Sequence, residues 1–355
     1  MQKINFSLLQ PHTVKLYNLE CKEYEVQDVP ARSLLVGSRF DLFAKLYYIR
    51  HRQTDNVMAR EVYNQHIKAF NPDLKEPGRE DKNGYDDFID AFDALIDDLT
   101  VNGFDPDKSL IPIDENGIIL DGAHRLCALA FADKQVRIVK FKQVTSNGRF
   151  DYEYFLKRGL KTADIIAGEM VLWLPNVLIA CLWPRMGGME AKKETLEMIT
   201  RQYPLCYVKA ISTSLESFVH FIAKVYEQQS WVGNEANQYA GARDKALNCF
   251  ASNKQIVFAL FEADSLAEII AFKEKVRQRF QSEKHSIHIT DNAGESREIA
   301  KVIFDAEELE KWNQPSNSFI VHLCETLNEK VFYFKNVTFI NWKVAVAKVL
   351  NKIRK

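Results

Sequence analysis

Between residues 177 and 304, short apolar runs alternate with longer amphipathic segments, and this alternation restricts the possible folds more than any other property of the chain. The runs at 177–182, 205–211, 255–261 and 286–289 have the length of strands rather than of buried helices. The stretches 190–201, 215–228, 266–279 and 295–304 carry apolar residues at helical spacing, and a short helix is expected near 243–249. The order βαβ, α, βαβ predicts a split sheet with helices on one face.

The first half reads differently. Val14-Lys15-Leu16-Tyr17 alternates apolar and polar residues, which suggests edge strands or an amino-terminal arm. Helices are predicted over 39–70 in two runs, and the stripe Phe88, Phe92, Leu95, Ile96 and Leu99 predicts a third, stopped at Asn102-Gly103. Residues 71–84, rich in charge, Gly and Pro, read as an exposed loop. Strands at 110–113 and 118–120, a helix to about Ala132 and a strand at 136–141 complete an α/β unit. The expected organisation is a first domain at 1–145, a connector at 146–174, a second domain at 175–310 and a helical tail at 311–355.

A chain of 355 residues accommodates two domains of ordinary size. Its 47 basic and 48 acidic side chains leave a net charge of -1, giving no overall field for nucleic acid or an anionic membrane. No helix-turn-helix or basic stripe follows the first domain, so no nucleic-acid partner is expected. The most apolar window, 165–183, is broken by Glu169, Pro175 and Asn176, and no basic and apolar leader opens the chain, so a cytoplasmic location is expected. Six scattered cysteines without CxxC spacing argue against disulfides and structural zinc.

Two short motifs carry chemistry. In Asp121-Gly122-Ala123-His124-Arg125, the glycine permits close backbone approach, the helix start at Ala123 presents unpaired N–H groups, and Arg125 offers a fork to phosphate oxygens. Asp121 could hold a metal or act as a base, and His124 is a second phosphate contact or a solvent-facing residue. In His285-Ser286-Ile287-His288-Ile289-Thr290-Asp291, a histidine at a strand end is a candidate phosphoryl carrier or acid/base, or a hydrogen-bonded structural residue. A metal held by His285 and His288 together is disfavoured, because residues three apart on a strand face opposite sides.

Residues 109–126, and about 85–142 as a whole, resemble the ParB/sulfiredoxin superfamily through the strand, turn, Ile119-Leu120-Asp121-Gly122-Ala123-His124-Arg125 and helix. The nearest variant is the Asp-Gly-His-His-Arg of the free-serine kinases. The resemblance implies nucleotide binding at Gly122, Ala123, His124 and Arg125, with ATP or another nucleotide, Mg²⁺ at Asp121, and an upstream carboxylate for which Asp41 is the candidate. Residues 175–305 resemble nucleoside diphosphate kinase, with its ferredoxin-like core. That likeness makes His288 the phosphocarrier, Glu298 its orienting carboxylate, and Arg185, Tyr226 and Arg277 nucleotide contacts. The chain departs from that pattern at Trp183, where the family has lysine, at His285, where it has asparagine, and at Ile289-Thr290, where it has Gly-Ser. The loop before Arg277 is also short. The two resemblances together imply a phosphotransferase acting on a small hydroxyl-bearing metabolite such as an amino acid, sugar or alditol, with homo-oligomer formation possible. The alternative is a non-catalytic, nucleotide-responsive regulator.

Overall fold

The computed structural model describes residues 3–75, 82–146, 150–281, 283–305 and Leu309. The chain divides into two compact units, Met1–Pro175 and Asn176–Lys355. Both are mixed α/β.

The first unit runs α1 (Pro11–Tyr17), β1 (Tyr24–Pro30), α2 (Phe40–His51), α3 (Asn56–Phe70), α4 (Tyr85–Asn102), β2 (Ile111–Ile113), α5 (Ala123–Phe131), β3 (Gln135–Phe141), α6 (Tyr152–Leu156) and α7 (Ala163–Trp173). The alternation at 14–17 does not make a strand. Pro11 at the first turn starts α1 and Asn18 ends it in the left-handed conformation, so local helix signals override a four-residue pattern. The expected strand at 118–120 is reduced to a bridge between Ile113 and Ile119. The intervening turn is held by Asp114, whose side chain accepts from the N–H groups of Asn116 and Ile118. The sheet order is β1-β3-β2, with β1 antiparallel and β2 parallel to β3. A parallel pair needs a crossover, and α5 is that crossover.

Helix α2 lies at the centre of this unit, packed against α3, α5 and α7. Nine of its twelve residues are buried, Asp41 and Lys45 among them. Charges on a helix buried all round require partners, and these lead directly to the site. The segment read as a connector instead belongs to this unit, since α6 packs on α3 and α7 on α2.

The second unit runs β4 (Val177–Leu182), α8 (Met189–Gln202), β5 (Leu205–Ser212), α9 (Leu215–Val225), α10 (Ala240–Cys249), β6 (Gln255–Glu262), α11 (Leu266–Phe280), β7 (Ile287–Ile289) and α12 (Ala293–Ile303). The strand order is β5-β6-β4-β7, with every adjacent pair antiparallel. Each of α8 and α11 therefore connects two parallel, non-adjacent strands, which is the split βαβ arrangement. The sheet is covered on both faces, not one: every residue of β4 and all but the last of β6 are buried. The β5–β6 connection carries α9 and α10 instead of a tight turn, and α12 packs on β4.

Among the described residues Lys192 in this core has no counter-charge. Lys192 of α8 has no exposed surface, and its ammonium donates to the Gln255 carbonyl at 2.8 Å. Burial lowers its pKa to about 8. Among the described residues no helix is long and apolar enough to cross a membrane. The expected tail at 311–355 lies outside the described residues.

Candidate functional site

In the first unit the Asp121-to-Arg125 element forms the start of α5. Gly122 has φ +88°, and a Cβ there would meet Ile111 Cδ1 at 2.5 Å and Arg125 Nη2 at 3.0 Å. The left-handed backbone conformation favours glycine, and any Cβ would have to push aside the ends of the Ile111 and Arg125 side chains. The first helical bond runs from the Leu126 N–H to the Gly122 carbonyl, 2.9 Å, leaving the amides of Ala123, His124 and Arg125 at the helix mouth outside the intrahelical pattern. Arg125 folds back so that Nη2 donates to Asp121 Oδ2 at 2.9 Å. Carboxylate and guanidinium are each partly exposed.

His124 is half-buried, not solvent-facing. Its Nε2 is 2.9 Å from the Tyr63 hydroxyl, and its ring meets Phe92 edge-on at 4.7 Å. Burial first, then the neighbouring Lys45, His66 and Lys82, hold its pKa well below the usual histidine range despite the opposing pull of Asp41. The ring is therefore neutral at pH 7, able to donate or accept one hydrogen bond at each nitrogen but not to carry charge to a phosphate.

Asp41 is placed nearby but is not free to act as a base. Arg39 grips it with both ends of its fork, Nε to Oδ1 at 2.8 Å and Nη2 to Oδ2 at 3.0 Å, and Lys45 Nζ reaches Oδ2 at 3.0 Å. The carboxylate is 1% exposed. Burial works against its charge, but the two cations outweigh burial and hold its pKa far below the ordinary value. Arg39 also donates to the Ile119 carbonyl at 2.6 Å, tying the cluster to the strand-turn before Asp121. Lys45 continues to His66 Nε2 at 3.0 Å, and His66 is buried and neutral. Arg39, Lys45 and His66 lie outside both short motifs. The spacing of Asp41 and Lys45, four apart inside an apolar helical run, was the available signal.

In the second unit His288 lies in the middle of β7 opposite Cys181 of β4. The carboxylate at its ring is Glu295, not Glu298: Glu295 Oε1 is 2.9 Å from Nε2. The reason is where α12 begins. Asn292 caps it by accepting from the Glu295 N–H at 3.0 Å, and the Glu295 side chain turns back to accept from the Asp291 N–H at 2.8 Å. Glu298 is nearly a turn further on, exposed and paired with Lys301. Burial raises the Glu295 pKa, but His288 and the Asp291 amide more than offset this and hold it below its usual value.

The His288 ring is enclosed. Trp183, with no exposed surface, is nearly parallel to it at 6.4 Å, and Tyr226 meets it edge-on at 5.3 Å. Burial first, then the nearby Cys181, Cys249 and Glu295, raises the Tyr226 pKa well above its ordinary value. Where the kinase resemblance places a lysine, the chain has an indole packed edge-on against Phe218 and Phe221. Lys273 does not substitute for it, being paired with Asp291. Arg185 is exposed, and Arg277 pairs with Glu274. His285 stands apart from His288, with Nδ1 3.8 Å from Cys249 Sγ.

Among the described residues no group of three or more His, Cys, Asp or Glu side chains is placed to hold a metal ion. Mg²⁺ commonly takes only one or two protein carboxylates, the rest of its shell coming from phosphate and water, and Asp121 fits that lesser demand. A cleft of about 620 Å³ lies elsewhere in the first unit, lined by Lys22, Lys140, Lys142, Glu23, Glu25 and Glu115. Comparison with protein-family models, with curated proteins and with solved structures found no match to this chain.

Proposed function

We propose that the first unit binds the phosphates of a nucleotide at the start of α5 and transfers a phosphoryl group to a small hydroxyl-bearing metabolite. The observation that carries this reading is the left-handed glycine at 122, which brings the chain close to Ile111 and starts the helix beside Arg125. Backbone amides at a helix start favour anions, and a guanidinium can grip phosphate with two parallel bonds. The resemblance of residues 85–142 to the ParB/sulfiredoxin superfamily supports a nucleotide as the source of that phosphate. Asp121 is the carboxylate available to Mg²⁺ or to an acceptor hydroxyl, once phosphate takes its place on Arg125. Charge neutralisation and positioning are the main demands of phosphoryl transfer, and these residues meet them.

Within this reading Asp41 is a structural counter-ion. His288 belongs to a second, enclosed centre whose likeness to a kinase phosphocarrier rests on the sequence pattern of residues 175–305. A second reading, a nucleotide-responsive regulator without turnover, is favoured by one observation: both charged oxygens of Asp41 are already bound by Arg39 and Lys45, so this carboxylate does not serve as a base.

The test is incubation with γ-labelled ATP and Mg²⁺ of wild type, Arg125→Ala and His288→Ala. The proposal expects turnover in wild type and His288→Ala and loss in Arg125→Ala. Binding without turnover supports the regulator. No binding by any of the three removes both readings. Acid-labile phosphohistidine that disappears in His288→Ala would move the chemistry to the second unit.

A further inference from the structure

Among the described residues the buried cluster behind α5 does not balance its own charge. Arg39 and Lys45 share the single carboxylate of Asp41, and all three side chains are at least nine-tenths buried. His66, the next member, contributes no negative charge. Its Nε2 accepts from Lys45, so its hydrogen is on Nδ1, turned towards the backbone of Tyr63. Among the described residues one positive charge is therefore left over in an interior where unpaired charge is costly. The excess lies near the first turn of α5: α2 packs against α5, and Lys45 and His66 both act on the ring of His124. Asp41 is the carboxylate felt by His66, His124 and Cys127 alike.

Building on the proposed nucleotide site, we propose that the uncompensated charge of Lys45 is a specificity determinant that makes the start of α5 select a polyanionic phosphate chain, with Asp41 setting its strength as an internal counter-charge. Lys45 acts through the interior, not by touching the ligand. A fixed cation in a poorly solvated interior attracts an anion several ångströms away far more strongly than the same cation would in water. The arrangement favours di- and triphosphates over monoanions, because attraction to a fixed charge rises with ligand charge. It also gives Asp41 a role opposite to that of a catalytic carboxylate: removing its charge should strengthen anion binding.

The experiment is calorimetric titration of the full chain with pyrophosphate and with ATP, combined with NMR titration of the His124 ring. Four proteins are compared: wild type, Lys45→Gln, Lys45→Arg and Asp41→Asn. Glutamine keeps donors towards Asp41 and His66 and loses the charge; arginine keeps the charge. The expected result is pyrophosphate binding by wild type, weakened on the order of tenfold in Lys45→Gln and restored in Lys45→Arg. Asp41→Asn should bind more tightly than wild type, which keeps the test decisive if one variant fails to fold. The His124 pKa should rise towards its ordinary value in Lys45→Gln, a change that a packing role for Lys45 would not produce. Unchanged pyrophosphate affinity in Lys45→Gln, with ATP still bound, overturns this inference and leaves the nucleotide site standing. Weaker binding in Asp41→Asn overturns it as well. If wild type binds neither ligand, the site itself is wrong.

Discussion

Replacing Lys192 with methionine should stabilise the second unit at neutral pH, and the gain should fade in alkali. Lys192 is enclosed between α8 and the start of β6, with one carbonyl as partner and no carboxylate. A pKa lowered from 10.5 to about 8 means that folding penalises the ammonium by about 3 kcal/mol. Methionine fills a similar volume without charge but leaves the Gln255 carbonyl unpaired, a loss of about 1–2 kcal/mol, so the net gain at pH 7 is about 1–2 kcal/mol. Between pH 8 and 10.5 the unfolded chain binds this proton more readily than the folded one, so stability due to Lys192 rises with pH across that window. The difference between variant and wild type should therefore fall by about 2.5 kcal/mol from pH 7 to pH 10. Urea unfolding of both proteins at the two pH values, followed by a probe confined to the second unit such as the indole N–H resonance of Trp183, measures it. A less stable variant at pH 7 together with a difference that does not change with pH would refute the reasoning.

Gly122→Ala should lower the stability of the first unit by about 1–3 kcal/mol, because alanine is strained at this backbone angle and its Cβ must displace Ile111; thermal melting checks it. Glu295→Gln should perturb the ring nitrogens of His288 in a ¹⁵N spectrum, whereas Glu298→Gln should leave them unchanged. Because the folded pKa of Glu295 is below 4.5, its stabilising contribution is present at neutral pH and is lost as pH falls below that value. The loss should be absent from the acid unfolding curve of Glu295→Gln. Trp183→Ala should cost about 3–5 kcal/mol, since the indole is fully buried among Phe218, Phe221 and His288, and chemical denaturation will show it.

The secondary structure was most legible where periodicity was long. The stripe from Phe88 to Leu99 predicts α4, which ends where Gly103 takes φ +74°. The alternation from 177 to 304 gives the strands and crossovers of the second unit in order. Short patterns were not enough: 14–17 became helix because Pro11 and Asn18 act at its ends, and 118–120 kept only the bridge at Ile119, after the turn organised by Asp114. At the candidate sites, glycine and the helix start could be read from local sequence because their requirements are local. The partners of Asp41 could not, since Arg39 and Lys45 enclose it only once α2 is buried against α3, α5 and α7. The choice between Glu295 and Glu298 depended on where α12 starts, and that is fixed by the Asn292 cap. The closure of the His288 centre by Trp183 and Tyr226 brings together β4, β7 and the end of α9, a tertiary fact that spacing does not encode.

The central claim is that the start of α5 is a phosphate site of a nucleotide. Its most direct test is calorimetric titration of ATP with Mg²⁺ into wild type and Arg125→Ala. The account predicts saturable binding by wild type that is lost or severely weakened in the variant. Equal binding by both proteins, or none by wild type, would contradict it.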